Sequence, residues 1–287
     1  MKKKLNVKKV VLVVILLFAL AIAGIFGFKV LFSNEDSSSN NPNTTDKPTS
    51  KEPDNEFSSL AYYHQDKLER YTTYKNSNPS LSIEDIVTHV NMGIDVPFYS
   101  TDPIAVKDGD DLTVVINKVY KLPDSWAPSD LKEIGDYKGQ SMRKEACDAF
   151  KEFAAACKKE GFDIFGHSGY RSTEFQKKIY NNMIDTYGQE YTDKYVSRPG
   201  QSEHTTGLSV DVSIDGMPYE DIESSSHYAW FKEQLSNYGF ILRYPKDKEA
   251  LTGYNYESWH IRYLGKELAK KVEKSGLTYD EYVAREL

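Results

Sequence analysis

The chain has 287 residues, 36 of them basic and 43 acidic, and the resulting charge of −7 excludes a nucleic-acid binder held by bulk charge. Hydrophobic residues make up 39% and aromatics 13%, too much for a disordered chain, and a mean hydropathy of −0.59 excludes a multi-span membrane protein. Two cysteines exclude a disulfide scaffold and a zinc site of four thiolates.

Residues 10–28 run for 19 positions without a charge, preceded by Lys2, Lys3, Lys4, Lys8 and Lys9 and followed by Lys29. At ~1.5 Å per residue such a run nearly spans a ~30 Å hydrocarbon core. Positive charge stays on the cytoplasmic side, so everything C-terminal of the run is expected outside. No Ala-x-Ala site follows it and no cysteine near its end offers a lipid attachment, so residues 1–32 read as an uncleaved single-pass anchor. Residues 33–56 contain no hydrophobic side chain and read as a disordered tether with a reach of roughly 25 to 30 Å. Beyond residue 32 the chain carries 30 basic and 43 acidic residues, so it should not bind anionic lipid by itself.

Residues 57–105 read as a small helical segment: Leu60, Tyr63, Lys67 and Tyr71 share one helical stripe, and Ser82 with Asp85 opens a second helix. Residues 106–287 read as the main domain. The β-branched stretch 111–123 predicts a strand, and 140–160 an amphipathic helix carrying Ala146, Phe150, Phe153, Ala154 and Cys157 on its apolar arc, stopped by Gly161. Cys147 and Cys157, ten residues apart on that helix, would lie ~15 Å apart, too far to bridge, and are expected as buried thiols.

A short strand at 162–165 precedes a helix from Thr173 to Tyr187 capped by Ser172. The alternation of Leu208, Val210 and Val212 with Ser209, Asp211 and Ser213 predicts a half-buried strand. A helix at 229–238, strands around 240–245 and 254–264, and one closing helix from Gly265 complete the pattern. Helices and strands mix without βαβ repetition, which gives α+β with a small antiparallel sheet and flanking helices.

Two of the six histidines stand in unusual company: His204 has Asp211 seven residues on, and His260 has Glu257 three residues before it. A catalytic zinc takes three protein ligands and keeps an open position, and two imidazoles with one carboxylate are a common set. His204, Asp211 and His260 would supply it, with Glu257 as the carboxylate that takes a proton from the attacking water. Spacing alone leaves open that each histidine is a satisfied core or surface residue. In an unbroken strand Glu257 and His260 would face opposite sides, so the metal reading requires a bulge or turn between them. His64, His89 and His227 read as structural or solvated, and His167 as a side chain that borders the cleft at most.

The stretches INKVYKLP, SGYRSTEFQ, RPGQSEHTTGLSVDV, GFILRYP and TGYNYESWHIRYLG together resemble the VanY-type family of zinc D-alanyl-D-alanine carboxypeptidases, which includes peptidoglycan L,D-carboxypeptidases. The resemblance implies a hedgehog/DD-peptidase-like fold, a Zn²⁺ cofactor and peptidoglycan stem peptides as substrate, at the Gram-positive cell-wall face. It implies that His204, Asp211 and His260 bind zinc and that Glu257 is the catalytic acid/base. It places Arg171, with Ser168, Gln176 and Ser202, near the scissile peptide and its terminal carboxylate. A planar guanidinium suits that carboxylate through two parallel hydrogen bonds, although a salt bridge closing the loop is the alternative reading of Arg171.

Three readings compete with a D,D-carboxypeptidase. An L,D-carboxypeptidase acting on tetrapeptide stems would share every residue above. A serine penicillin-binding enzyme would use the S-x-x-K of Ser129 and Lys132, but no K-T-G accompanies it. A wall-binding module that lost its chemistry would not need the complete set of His204, Asp211, Glu257 and His260.

Overall fold

The computed structural model describes residues 55–135 and 140–287; the expected anchor and all but the end of the expected tether lie outside the described residues. Among the described residues no helix is long and apolar enough to cross a membrane.

The N-terminal segment contains helices α1 (Leu68–Ser77) and α2 (Ile83–Met92). The stripe from Leu60 to Tyr71 does not form one helix: residues before Gln65 fold into turns, in which the Asn55 side chain and carbonyl accept from the backbone N–H groups of Phe57 and Ser58. Ser82 caps α2 by accepting from Asp85 N at 3.0 Å. Phe57, Tyr71, Ile86, Val87 and Val90 make a separate apolar cluster.

Of the strand expected at 111–123 only β2 (Tyr120–Lys121) exists, paired in parallel with β1 (Ile104–Ala105). The remainder is irregular because side chains take its backbone groups. The carbonyls of Leu112 and Val114 accept from Arg262, that of Thr113 accepts from Tyr279, and Asn117 Oδ1 accepts from the N–H groups of Val119 and Tyr120. A hairpin of β3 (Leu131–Glu133) and β4 (Ser141–Arg143) follows. It occupies the first residues of the expected helix, so α3 is Lys144–Lys159. That helix buries Ala146, Cys147, Phe150, Phe153 and Cys157, and both thiols are free and buried. Burial pushes the Cys157 thiol up to about 12, which keeps it unreactive.

The main sheet is antiparallel in the order β5-β6-β8-β7, from β5 (Ile164–Ser168), β6 (Ser209–Ile214), β7 (Phe240–Tyr244) and β8 (Glu257–Tyr263). Every residue of β6 is buried, where alternation predicts half-burial. Val210 and Val212 join the core that includes α3, and the polar face is covered by the 3-10 turns Glu203–Thr206 and Tyr219–Ser224. That covered polar face carries Asp211.

Helices α4 (Thr173–Tyr187) and α5 (Gln189–Tyr195) lie between β5 and β6 in the chain, and Ser172 caps α4 through Phe175 N. After β6 come α6 (Tyr228–Gln234) and a 3-10 turn that ends at Gly239, with φ +84°. The short α7 (Glu249–Thr252) connects β7 to β8. The single closing helix of the sequence reading is two helices, α8 (Lys266–Ser275) and α9 (Tyr279–Glu286), because Gly276 ends the first and a Thr278–Glu281 capping box starts the second. The architecture is α+β, with small sheets and flanking helices.

Candidate active site

β6 and β8 pair so that Asp211 lies opposite His260, and the 3-10 turn before β6 brings His204 over both. One donor atom from each of the three residues falls within a sphere where all lie inside 4.8 Å of one another, and all three residues are buried. His204 Nε2 is 3.4 Å from Asp211 Oδ2, and His260 Nδ1 is 3.2 Å from Asp211 Oδ1. The imidazole planes are nearly perpendicular, at 86°. Tetrahedral zinc donors at ~2.1 Å would be separated by ~3.4 Å, so the residues fit the ion.

The outer nitrogens fix which atoms face inward. His204 Nδ1 must donate to the Gly169 carbonyl at 2.9 Å, since a carbonyl only accepts, and that leaves Nε2 toward Asp211. Gly169 must be glycine here, because a Cβ would run into the Ser141 carbonyl. His260 Nε2 donates to Glu203 Oε2 at 2.9 Å, which turns Nδ1 inward. Glu203 is in turn gripped by Arg243 Nε at 2.8 Å and Arg262 Nη1 at 2.9 Å, and Arg243 also donates to both oxygens of Asp280 on α9. Asn117 completes the chain by donating to Asp280 Oδ1 at 2.8 Å. The sequence reading contains none of Glu203, Arg243, Arg262 or Asp280. A basic residue inside the apolar runs FILRYP and WHIRYL is the signal that was available, since Arg is almost never fully buried unless paired.

Burial lowers His204 to about 4, assisted by Arg171, so it stays neutral with its lone pair available. Burial also opposes charge on His260, but hydrogen bonds to Asp211 and Glu203 outweigh it and raise His260 to about 9. A proton on Nδ1 and a metal ion therefore compete for one lone pair. Burial would raise Asp211 and Glu203, yet the protonated His260 beside the first, and Arg243 with Arg262 beside the second, hold both well below the carboxylate range.

Glu257 sits beside this cluster with Oε2 3.6 Å from His260 Nδ1. The required irregularity is present. Leu242 pairs with Ile261 but Tyr244 pairs with Glu257, so three residues of β8 stand opposite one of β7 and the strict alternation of faces is broken. Burial raises the Glu257 carboxyl to about 7, against the opposing field of His260.

A cleft of about 110 Å³ opens over these groups, and Arg171, Gln176, Ser202, Tyr244 and Tyr254 share its wall with Glu257 and His260. Gln176 Oε1 accepts from Arg171 Nη1 at 3.1 Å while its Nε2 donates to the Ser197 carbonyl. Arg171 Nη2 is 3.8 Å from Asp211 Oδ2, and its buried Nε has no hydrogen-bond partner. Ser168 is not brought into the cleft wall; its backbone pairs opposite Asp211. A larger cavity of about 770 Å³ lies between the turns before α1, the end of α2, the segment 104–120 and α9; neither His204 nor His260 lines it, and size does not outweigh the missing chemistry there. Ser129 and Lys132 are exposed, and Lys132 pairs with Asp148. His89 bonds Tyr74, and His227 stacks on Phe162.

Together the sheet, the buried His–Asp–His cluster and the adjacent carboxyl have the form of a metallopeptidase site. The family model for VanY, D-alanyl-D-alanine carboxypeptidase, matches residues 139–266. The D-alanyl-D-alanine carboxypeptidase of Enterococcus faecalis is 31% identical over 214 residues, covering 69% of this chain and 78% of the relative. The solved LdcB LD-carboxypeptidase is 37% identical with a TM-score of 0.60, covering 66% of this chain and 94% of that one. A variant of the D,D-pentapeptidase VanY from the VanB-type resistance cassette, in complex with Zn(II), is 29% identical with a TM-score of 0.53, over 60% of this chain and 98% of that one. The chain belongs to the VanY family of D-alanyl-D-alanine carboxypeptidases.

Proposed function

We propose that the chain is a zinc carboxypeptidase that removes the C-terminal D-alanine from peptidoglycan stem peptides. The observation that carries this reading is the convergence of His204, Asp211 and His260 beside Glu257, in a cleft that also holds Arg171. His204 Nε2, His260 Nδ1 and the Asp211 carboxylate would hold the ion. Zinc, when bound, supplies a Lewis acid that polarises the scissile carbonyl and acidifies the attacking water. Glu257 accepts the proton of that water and delivers it to the departing D-alanine nitrogen; a carboxyl near 7 suits both transfers at neutral pH. Arg171, held by Gln176, grips the terminal carboxylate and so restricts attack to the last residue. Ser202 borders the same space.

The likeness to LdcB supports a second reading, an L,D-carboxypeptidase acting on tetrapeptide stems. Zinc-loaded full-length chain incubated with pentapeptide and tetrapeptide muropeptides, with products weighed by mass spectrometry, tests both. Loss of one alanine from the pentapeptide alone is the expected result. Cleavage of the tetrapeptide alone would replace it with the second reading, and cleavage of neither would sink both.

Arg171→Ala should raise KM more than it lowers kcat, because the terminal carboxylate is held in the ground state as well as the transition state. A charged hydrogen bond is worth ~1.5–3 kcal/mol, or about 10- to 150-fold. Comparing free with C-terminally amidated substrate reads the role directly, and an undiminished preference for the free form would contradict it.

The reading extends to location: residues 1–32 anchor the chain in the membrane and residues 33–56 hold residues 57–287 at the outer face. Its support is the uncharged run flanked by lysines. Protease added to intact protoplasts should release a soluble fragment with full activity. A chain fully protected until lysis would refute this topology.

A further inference from the structure

Exposed aromatic rings are ordinarily scattered singly over a protein surface. Here Tyr187, at the end of α4, and Tyr191 and Tyr195 on α5 form a continuous run, with successive ring centroids 4.9 and 4.6 Å apart. They are 57%, 45% and 44% exposed. The four-residue spacing of Tyr191 and Tyr195 puts those two rings on one face of α5, and Tyr187 continues the run from the end of α4.

These rings do not hold α5 in place. Its other side does: Thr192 is fully buried, and Asp193 takes two hydrogen bonds from Arg198 and one from the Tyr180 hydroxyl. The Asp193 carbonyl accepts from Lys118 Nζ at 2.7 Å. The three rings are thus presented on a rigid support while contributing little to it. One end of the run is the cleft, where Tyr195 lines the wall with Glu257 and His260. The other end is Tyr187, two ring-to-ring steps of 4.9 and 4.6 Å away.

We propose that this tyrosine run binds the upstream part of the substrate, the stem peptide and the sugar that carries it. The inference rests on the carboxypeptidase reading and deepens it. A carboxypeptidase releases one residue, whose carboxylate ends the chain inside the cleft, so a strip leading out of the cleft meets only the upstream side. Four extended residues upstream of the scissile bond span ~13 Å, more than the two ring-to-ring steps of 4.9 and 4.6 Å cover, so a stem peptide that starts inside the cleft and leaves it past Tyr195 reaches the outer end of the run and brings the first sugar to Tyr191 and Tyr187. A pyranose offers a C–H face to aromatic rings and hydroxyls to phenolic tips, which matches a half-exposed tyrosine that is apolar in body and polar at its end.

The test is the double variant Tyr187→Ser/Tyr191→Ser in the full-length zinc-loaded chain, with Tyr195 left intact because it lines the cleft. Three substrates are compared: an N-acylated tripeptide ending in D-Ala-D-Ala, the free pentapeptide, and the disaccharide pentapeptide. The expected result is a loss in kcat/KM of roughly tenfold on the disaccharide pentapeptide, carried by KM, from two stacking contacts. Activity on the tripeptide should not change. Equal losses on all three substrates, no loss on the disaccharide pentapeptide, or the same loss with and without the sugar would each overturn the assignment. Calorimetric titration with disaccharide tripeptide, which has no terminal D-alanine to remove, gives a second readout, and undiminished binding by the double variant would also overturn it. Wild-type protein that binds this ligand through the run but cleaves none of the three substrates would break the carboxypeptidase reading, and with it the proposed substrate direction.

Discussion

Glu257→Gln should retain about one equivalent of zinc and lose about 10²- to 10⁴-fold in kcat, the range expected for a positioned acid/base. The three proposed ligands are untouched by the change, and the amide keeps the volume of the carboxyl. Metal analysis alongside turnover on one muropeptide separates the roles: zinc lost together with activity would make Glu257 a ligand, and activity retained would remove it from the reaction. A second readout needs no metal. The Glu257 carboxyl is at about 7 in the folded chain against 4.5 as its ordinary value, so between those pH values the native state keeps a proton that the unfolded chain has released. Stability from this group is therefore fully present below pH 4.5, falls as pH rises through the window, and reaches a cost of roughly 3 kcal/mol above pH 7. In chelator-treated protein, Glu257→Gln should unfold at higher urea than wild type at pH 8 and at nearly the same urea at pH 4.5. An unchanged difference across that range would contradict the buried, raised carboxyl.

Glu203→Ala is expected to have the largest effect on stability. The Glu203 side chain is fully buried and accepts from His260, Arg243 and Arg262. Removing it leaves two buried guanidiniums with only Asp280 as an acidic partner, and breaking a buried ion pair in this way costs ~3–5 kcal/mol. That is a large share of the ~5–15 kcal/mol that holds a typical domain folded. Glu203→Gln keeps the shape and an acceptor oxygen, so it should fold more stably than the Ala variant while holding zinc ~10- to 100-fold less tightly, because the amide orients His260 without supplying charge. Urea midpoints for both variants and chelator competition for the Gln variant measure these effects. A midpoint for Glu203→Ala within experimental error of wild type would show that the network is not what holds this region together.

Local chemistry carried much of this protein's organisation. The Ser82 and Ser172 caps, the Gly161 and Gly239 stops and the apolar faces of α3 and β6 all act through neighbours in the chain, and each was readable from a few adjacent residues. Spacing alone left His204, Asp211, Glu257 and His260 open as ordinary structural residues; the resemblance carried by their two short motifs implied that they act together, and the fold brings the four side chains side by side. Non-local contacts decided the rest. Residues 111–123 have strand composition, but Arg262, Tyr279 and Asn117 claim their backbone groups from elsewhere in the fold or within the segment. β6 looks half-buried because alternation cannot report the turns that cover its polar face. Glu203 is adjacent to His204 in sequence, yet its imidazole partner is His260, 57 positions away, and its two arginines come from β7 and β8. A lone buried charge is unaffordable without partners, and only the tertiary structure, by pairing β7 with β8 and docking α9 against them, supplies those partners.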